Sequence, residues 1–183
     1  ILPNSLEPDS KLEGLYAVGA GMTGLSLVGT EKYFAAANAV AKQVVNNPTL
    51  RNIHLPCALD DQQADSDCLT ATAELLGKQL WRRPLTDGEV ATLLAHAGKA
   101  QEVLTGRLPG LETMIMAMLM APEFIYIITP TTEGMEGDFE YSGHGLASRL
   151  SYFLWNSCPD DELLSAADAG TLNTDEGLRD QVT

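Results

Sequence analysis

The chain has 183 residues, 45% hydrophobic and 20% charged, a composition that suits a folded domain or two and excludes a disordered or collagen-like polymer. Asp and Glu number 25 against 11 Lys and Arg, a net charge of −14. Phosphate backbones and anionic lipid surfaces both demand a Lys/Arg face, so this balance argues against a nucleic-acid binder and against docking on an anionic membrane.

Residues 1–29 are rich in Gly and Pro (Pro3, Pro8, Gly14, Gly19, Gly21, Gly24, Gly29) and read as an irregular segment laid over a helical core. Residue 1 is Ile and no basic segment followed by an apolar one precedes the body, so the expectation is a piece of a longer polypeptide. From Thr30 the pattern turns helical, with Phe34, Ala37, Ala41, Val44 and Val45 on one stripe and Asn46-Asn47-Pro48 as the stop. Arg51–Asp67 reads as a polar loop. A second helix is expected from about Cys68 to Arg83, burying Leu69, Thr72, Ala73, Leu76 and Leu80, with Arg82 and Arg83 in its last turn and Pro84 ending it.

Thr86-Asp87-Gly88-Glu89 fits a capping box, where hydroxyl and carboxylate each satisfy a free backbone N–H of a third helix. Val90, Leu93, Leu94, Ala97 and Leu104 form its stripe. Methionines alternate at 114, 116, 118 and 120, a strand-like period, but Met favours helices and β-branched residues are scarce there. The segment Leu111–Ala121 is therefore expected to be a central helix, apolar all round, followed by an extended stub at Phe124–Ile128. Its apolar run is broken by Pro122-Glu123 and is too short to span a bilayer, which takes about 20 residues. Residues 129–140 read as an acidic linker. A fifth helix over Ser142–Asn156 would turn Leu146, Leu150, Phe153 and Leu154 inward, and a sixth over Asp160–Ala169 would carry Pro159 in its first turn. Thr174 would cap a further helical start. The fold class is all-α: an irregular bundle of about six helices with long loops.

There are three cysteines. Cys57 and Cys68 bracket a polar loop holding Asp60, Asp61, Asp65 and Asp67. Two readings stand: a disulfide worth roughly 3 kcal/mol in the chain-entropy model, or two unrelated thiols. An exposed cysteine beside a polar tract favours the disulfide and with it an oxidising compartment. Cys158 is left over, either buried or paired outside this segment. No Cys-x-x-Cys-His occurs, so this stretch cannot attach a c-type haem covalently.

Candidate chemistry is sparse. His54, His96 and His144 have no partner at the three- or four-residue spacing of metal-binding helices. His144, in Ser142-Gly143-His144-Gly145, is the one placed for a crevice. The Asp cluster of 60–67 departs from an EF-hand pattern and reads as a solvated loop. The six Met residues read as core filler rather than haem or copper ligands. No G-x-S-x-G elbow and no G-x-G-x-x-G loop is present. The sequence therefore assigns no catalytic residue and no metal ligand. Two segments are denser than a helix needs: Trp81-Arg82-Arg83-Pro84-Leu85-Thr86, and the run from Leu146 to Trp155 around Arg149. Both read as structural, with Arg–carboxylate pairs and Trp81 and Trp155 as anchors between helices, Arg149 facing Asp160, Asp161 and Glu162.

Those segments carry a family resemblance. Trp81-Arg82-Arg83-Pro84-Leu85-Thr86-Asp87, preceded by Cys57 and Cys68, resembles domain of unknown function 1595. Leu146 to Trp155, followed by Pro159-Asp160-Asp161-Glu162-Leu163-Leu164, resembles the start of domain of unknown function 1592. Leu12–Val45 is similar to domain of unknown function 1587. The implied organisation is residues 1–50, 51–128, an acidic linker at 129–140, and 141–183 as the start of a further domain. The resemblance implies a large secreted bacterial protein, periplasmic or extracellular, often with a cytochrome-c-like domain. It also implies a disulfide at Cys57–Cys68, no cofactor within this segment, and haem c in an adjoining domain or partner. The expected role is a helical scaffold or binding module of a cytochrome-linked redox system. The alternatives are part of an extracellular enzyme acting on a polymer or glycan, with a crevice beside His144, Arg149 and Trp155, and a structural subunit of a surface assembly. Partners are the remainder of the polypeptide or a c-type cytochrome, with no nucleic acid and no transmembrane segment.

Overall fold

The computed structural model describes Leu6 and residues 24–56, 64–128, 131–133 and 139–182. Most of the Gly/Pro-rich segment, with Cys57, Asp60 and Asp61, lies outside the described residues. The described chain is all-α: helices α1 (Leu27–Asn46), α2 (Pro48–His54), α3 (Ser66–Trp81), α4 (Asp87–Val103), α5 (Pro109–Met120) and α6 (Pro122–Ile125), then α7 (Gly143–Trp155), α8 (Asp161–Asp168), a 3₁₀ turn at Thr171–Asn173 and α9 (Asp175–Asp180). The six expected helices correspond to α1, α3, α4, α5, α7 and α8.

The helix starts follow local side-chain chemistry. Ser26 Oγ accepts the Gly29 N–H at 2.9 Å, Asp65 Oδ1 the Cys68 N–H at 2.8 Å, and Asp160 Oδ1 the Leu163 N–H at 2.9 Å. The capping box of α4 is complete: Glu89 N–H donates to Thr86 Oγ1 at 3.3 Å and Thr86 N–H to Glu89 Oε2 at 2.8 Å. Asn47 ends α1 and starts α2 with one side chain, since its Oδ1 accepts from Thr49 and Leu50 while Pro48 sits in the first turn. The proline read as a stop is thus also a start, and α2 takes in Arg51–His54, the first residues of the expected loop. One further expectation is corrected: Phe124 belongs to the one-turn helix α6 rather than to an extended stub. Residues 131–133 and 139–141 pair as an antiparallel hairpin, β1 (Thr131–Glu133) with β2 (Phe139–Tyr141), Thr131 opposite Tyr141.

Helix α5 is the hub. It packs against α1, α3, α4 and α6, and Leu111, Met114 and Met118 are fully buried on it. Its apolar run needs partners on several sides because almost none of its faces can be left to water. Gly110 lets α4 approach closely: a Cβ there would lie 2.8 Å from the Ala97 carbonyl oxygen. This first cluster draws Ala37, Ala41 and Val45 from α1, Leu69, Ala73 and Leu76 from α3, and Leu93 and Ala97 from α4. Phe34 and Leu104 are instead about half exposed and leave their stripes.

A second, smaller cluster joins Ala147 of α7 to Leu163 and Ala167 of α8 and to Leu172. The buried face of α7 is small and partly polar: Gly145, Ala147, Ser148 and Ser151. Phe153 is 85% exposed and Leu154 and Trp155 are also exposed, contrary to the inward reading. Leu150 packs against this cluster as expected and Leu146 is partly buried, while the fully buried positions are small and Phe153 and Leu154 face out. Pro159 lies just before the Asp160 cap rather than within the helix.

Candidate functional site

The densest polar construction lies where α3 ends. Trp81 is buried and its Nε1–H donates to the Met118 carbonyl at 3.1 Å, tying α3 to α5. Arg82 does not extend the helix; it adopts the left-handed conformation (φ 59°) and stops α3. Its guanidinium, buried with the rest of the side chain, donates to the Leu80 carbonyl at 3.2 Å, the Tyr126 carbonyl at 2.9 Å and the Glu123 carbonyl. It also lies 5.9 Å from the ring centre of Tyr152 on α7. The expected carboxylate partner is therefore replaced by backbone carbonyls. A planar fork of fixed donors suits this job, since it satisfies carbonyls in the last turn of α3, in α6 and just after α6 together.

Arg83 does pair with a carboxylate. Its two terminal nitrogens donate to Glu89 at 2.9 and 2.7 Å, and it lies 5.8 Å from the Trp81 ring. That bidentate bond holds the Glu89 carboxyl down at about 2, below its usual 4.5, and raises Arg83. A lowered carboxyl stabilises the fold above its unfolded value, and the stabilisation is lost as pH falls from 4.5 toward 2. Because Glu89 remains 26% exposed, the worth at neutral pH is about 1–2 kcal/mol after solvent screening. Glu89→Gln keeps the capping-box geometry and is expected to cost that amount at pH 7. Urea titrations should show the gap to wild type closing as pH falls toward 2; a gap independent of pH would refute the ion pair's role.

A second joint runs between the clusters. Asp168 at the end of α8 receives Lys78 of α3 on one oxygen and lies 3.0 Å from His144 Nε2 with the other. The Lys78 bond, then His144, draws the Asp168 carboxyl below its ordinary value. His144, expected at a crevice, is held in this bridge at the start of α7. Gly143 beside it sits tight on α8, where a Cβ would meet the Ala167 carbonyl oxygen at 3.0 Å.

Arg149 is exposed, and its guanidinium lies 4.7 Å from the centre of the Tyr141 ring rather than in a carboxylate pair. Trp155 is 61% exposed. It stands on the rim of a groove of about 430 Å³ with Cys158, Asp160, Glu162, Asp180 and Gln181. His144 and Trp155 lie at opposite ends of α7, roughly 16 Å apart along its axis, so the structure does not gather His144, Arg149 and Trp155 into one crevice. No local signal marked this groove, which forms from the end of α7, the start of α8 and the end of α9.

Cys158 is a free, exposed thiol, not a buried one, 3.3 Å from the Tyr152 hydroxyl. Burial, then this thiol, pushes the Tyr152 phenol up to about 12. Cys68 is buried on the first turn of α3 and held in a disulfide; Cys57 lies outside the described residues. His54 and His96 are exposed, Asp65 is spent as a helix cap, and among the described residues no three His, Cys, Asp or Glu gather as metal ligands. No helix among the described residues is long and apolar enough to cross a membrane.

Comparison with known proteins places these features. Residues 68–128, which contain Trp81, both arginines and α5, match the family model described as protein of unknown function (DUF1595). Residues 142–183, which contain α7, α8 and α9, match that described as protein of unknown function (DUF1592). No curated protein and no solved structure matches the chain. The chain thus carries, in this order, a segment that matches the DUF1595 model and a segment that matches the DUF1592 model.

Proposed function

We propose that this chain is a helical scaffold and binding module of a secreted, multidomain polypeptide linked to a c-type haem domain. The observation that carries the scaffold reading is the use of the motif cations. Arg82 is spent on three carbonyls, Arg83 on Glu89 and Lys78 on Asp168, each joining separate elements. Groups that complete one another's hydrogen bonding in this way serve architecture. A periplasmic or extracellular location is supported by the disulfide at Cys68, since such bonds persist in oxidising compartments. The haem link rests on the resemblance of both matched segments to exported proteins that often carry a cytochrome-c-like domain.

Two measurements test this reading. The native, full-length polypeptide, reduced with dithionite, should show the sharp visible band of a c-type haem, in the same chain or in a co-purifying cytochrome. A spectrum without haem bands would remove the redox link. Alkylation of the denatured, unreduced protein should label one of the three cysteines, Cys158, because Cys57 and Cys68 are proposed to pair. Labelling of all three would remove the disulfide and the main support for export.

A further inference from the structure

We infer that the seam between α3 and the α7–α8 pair is a reversible charge latch, which closes two helical units on one another and can release them as separate bodies. This goes beyond the scaffold reading, which needs only that the units be joined. Among the described residues the substantial helix pairings fall inside one unit or the other. Helix α5 packs with α1, α3, α4 and α6 in the first, and α7 with α8 and the 3₁₀ turn in the second. Each unit has its own buried apolar cluster. Apolar burial therefore holds each unit together and does little to hold one to the other.

The contacts that cross the seam are polar. Lys78 and Arg82 stand four residues apart, on one face of α3. Lys78 donates to Asp168 Oδ2, and the other oxygen of that carboxylate lies 3.0 Å from His144 Nε2. Arg82 lies 5.9 Å from the ring centre of Tyr152. His144, Ser148 and Tyr152 follow at four-residue steps along α7, so one stripe of that helix carries both ends of the seam, with Ser148 buried between them. Polar contacts between domains resemble transient interfaces, and relative motion is their ordinary behaviour. The side chains of Lys78 and Asp168 are 32% and 39% exposed, so salt screens their attraction. Arg82 is held by the carbonyls of Leu80, Glu123 and Tyr126 in its own unit, so departure of Tyr152 leaves no buried guanidinium stranded. Opening thus breaks weak contacts and strands no strong one, which is what a latch requires.

One spin label on each unit of the full chain tests the latch. Cys158→Ser removes the free thiol, and exposed Ala95 of α4 and Ser165 of α8 are replaced by Cys and labelled without reductant. Mass spectrometry confirms two labels per chain, and double electron–electron resonance reads the distance between the units. At low salt this parent should show one narrow distance. Lys78→Gln should shift the closed-to-open ratio about fivefold toward open, and Tyr152→Leu by a similar factor. Combined, they should make a second, longer and broader distance the majority. Molar salt should open the parent as Lys78→Gln does and act less on that variant. Lys78→Arg keeps the charge and should stay closed. Unchanged circular dichroism confirms that the variants fold. A narrow distance kept as the majority in the combined variant would overturn the latch. So would a broad distance in the parent at low salt, or a salt effect as large in Lys78→Gln as in the parent.

Discussion

Arg82→Ala is expected to lower stability by about 3 kcal/mol, or roughly 6–12 °C in thermal midpoint. The guanidinium is buried and donates to the carbonyls of Leu80, Glu123 and Tyr126, so truncation strands acceptors that water reaches poorly. Alanine also retains the left-handed backbone at φ 59° without any compensating bond. Arg82→Gly loses the same bonds but relieves that backbone, and should be more stable than the alanine variant by about 1 kcal/mol. Arg82→Lys keeps the charge without the fork and should fall between wild type and glycine. Calorimetry on the three variants checks the order. An alanine variant within about 0.5 kcal/mol of wild type would mean that the carbonyls find other donors.

The second large effect belongs to α5. Met118 is fully buried between α5 and its neighbours, and Met118→Ala should cost about 2–5 kcal/mol through lost transfer energy and a cavity. Met116 is only partly buried, so Met116→Ala should cost less than half as much. The bond from Trp81 to position 118 uses the backbone carbonyl and survives both substitutions. Urea unfolding followed by the fluorescence of buried Trp81 provides the comparison. Equal losses at 116 and 118 would mean that α5 is not oriented as described.

The helical class and most helix starts were legible because their determinants are local. The Thr86/Glu89 box and the Ser142, Asp160 and Thr174 caps each lie within three residues of the N–H they satisfy. The methionine alternation did not mislead, since propensity outweighs a period over so short a run. What stayed hidden depends on distant partners. Asp168 meets Lys78 across 90 positions, and Arg82 meets the α6 carbonyls across 41 and 44. Helix α2 was hidden because Pro48 suits both a stop and a first turn. On α7 Leu150 packs as expected, but Phe153 and Leu154 do not, because hydropathy looks for large residues while close helix contact chose Gly145, Ala147, Ser148 and Ser151.

The placement of α5 against α1 has a consequence for biogenesis. The ribosome finishes α1 some 60 residues before it begins α5, a delay of roughly 3–12 s at common elongation rates. Throughout that interval Ala37, Ala41 and Val45 lack the surface that finally covers them. The nascent chain therefore stays loose until its methionine-rich helix emerges, and a holdase would have several seconds in which to capture it.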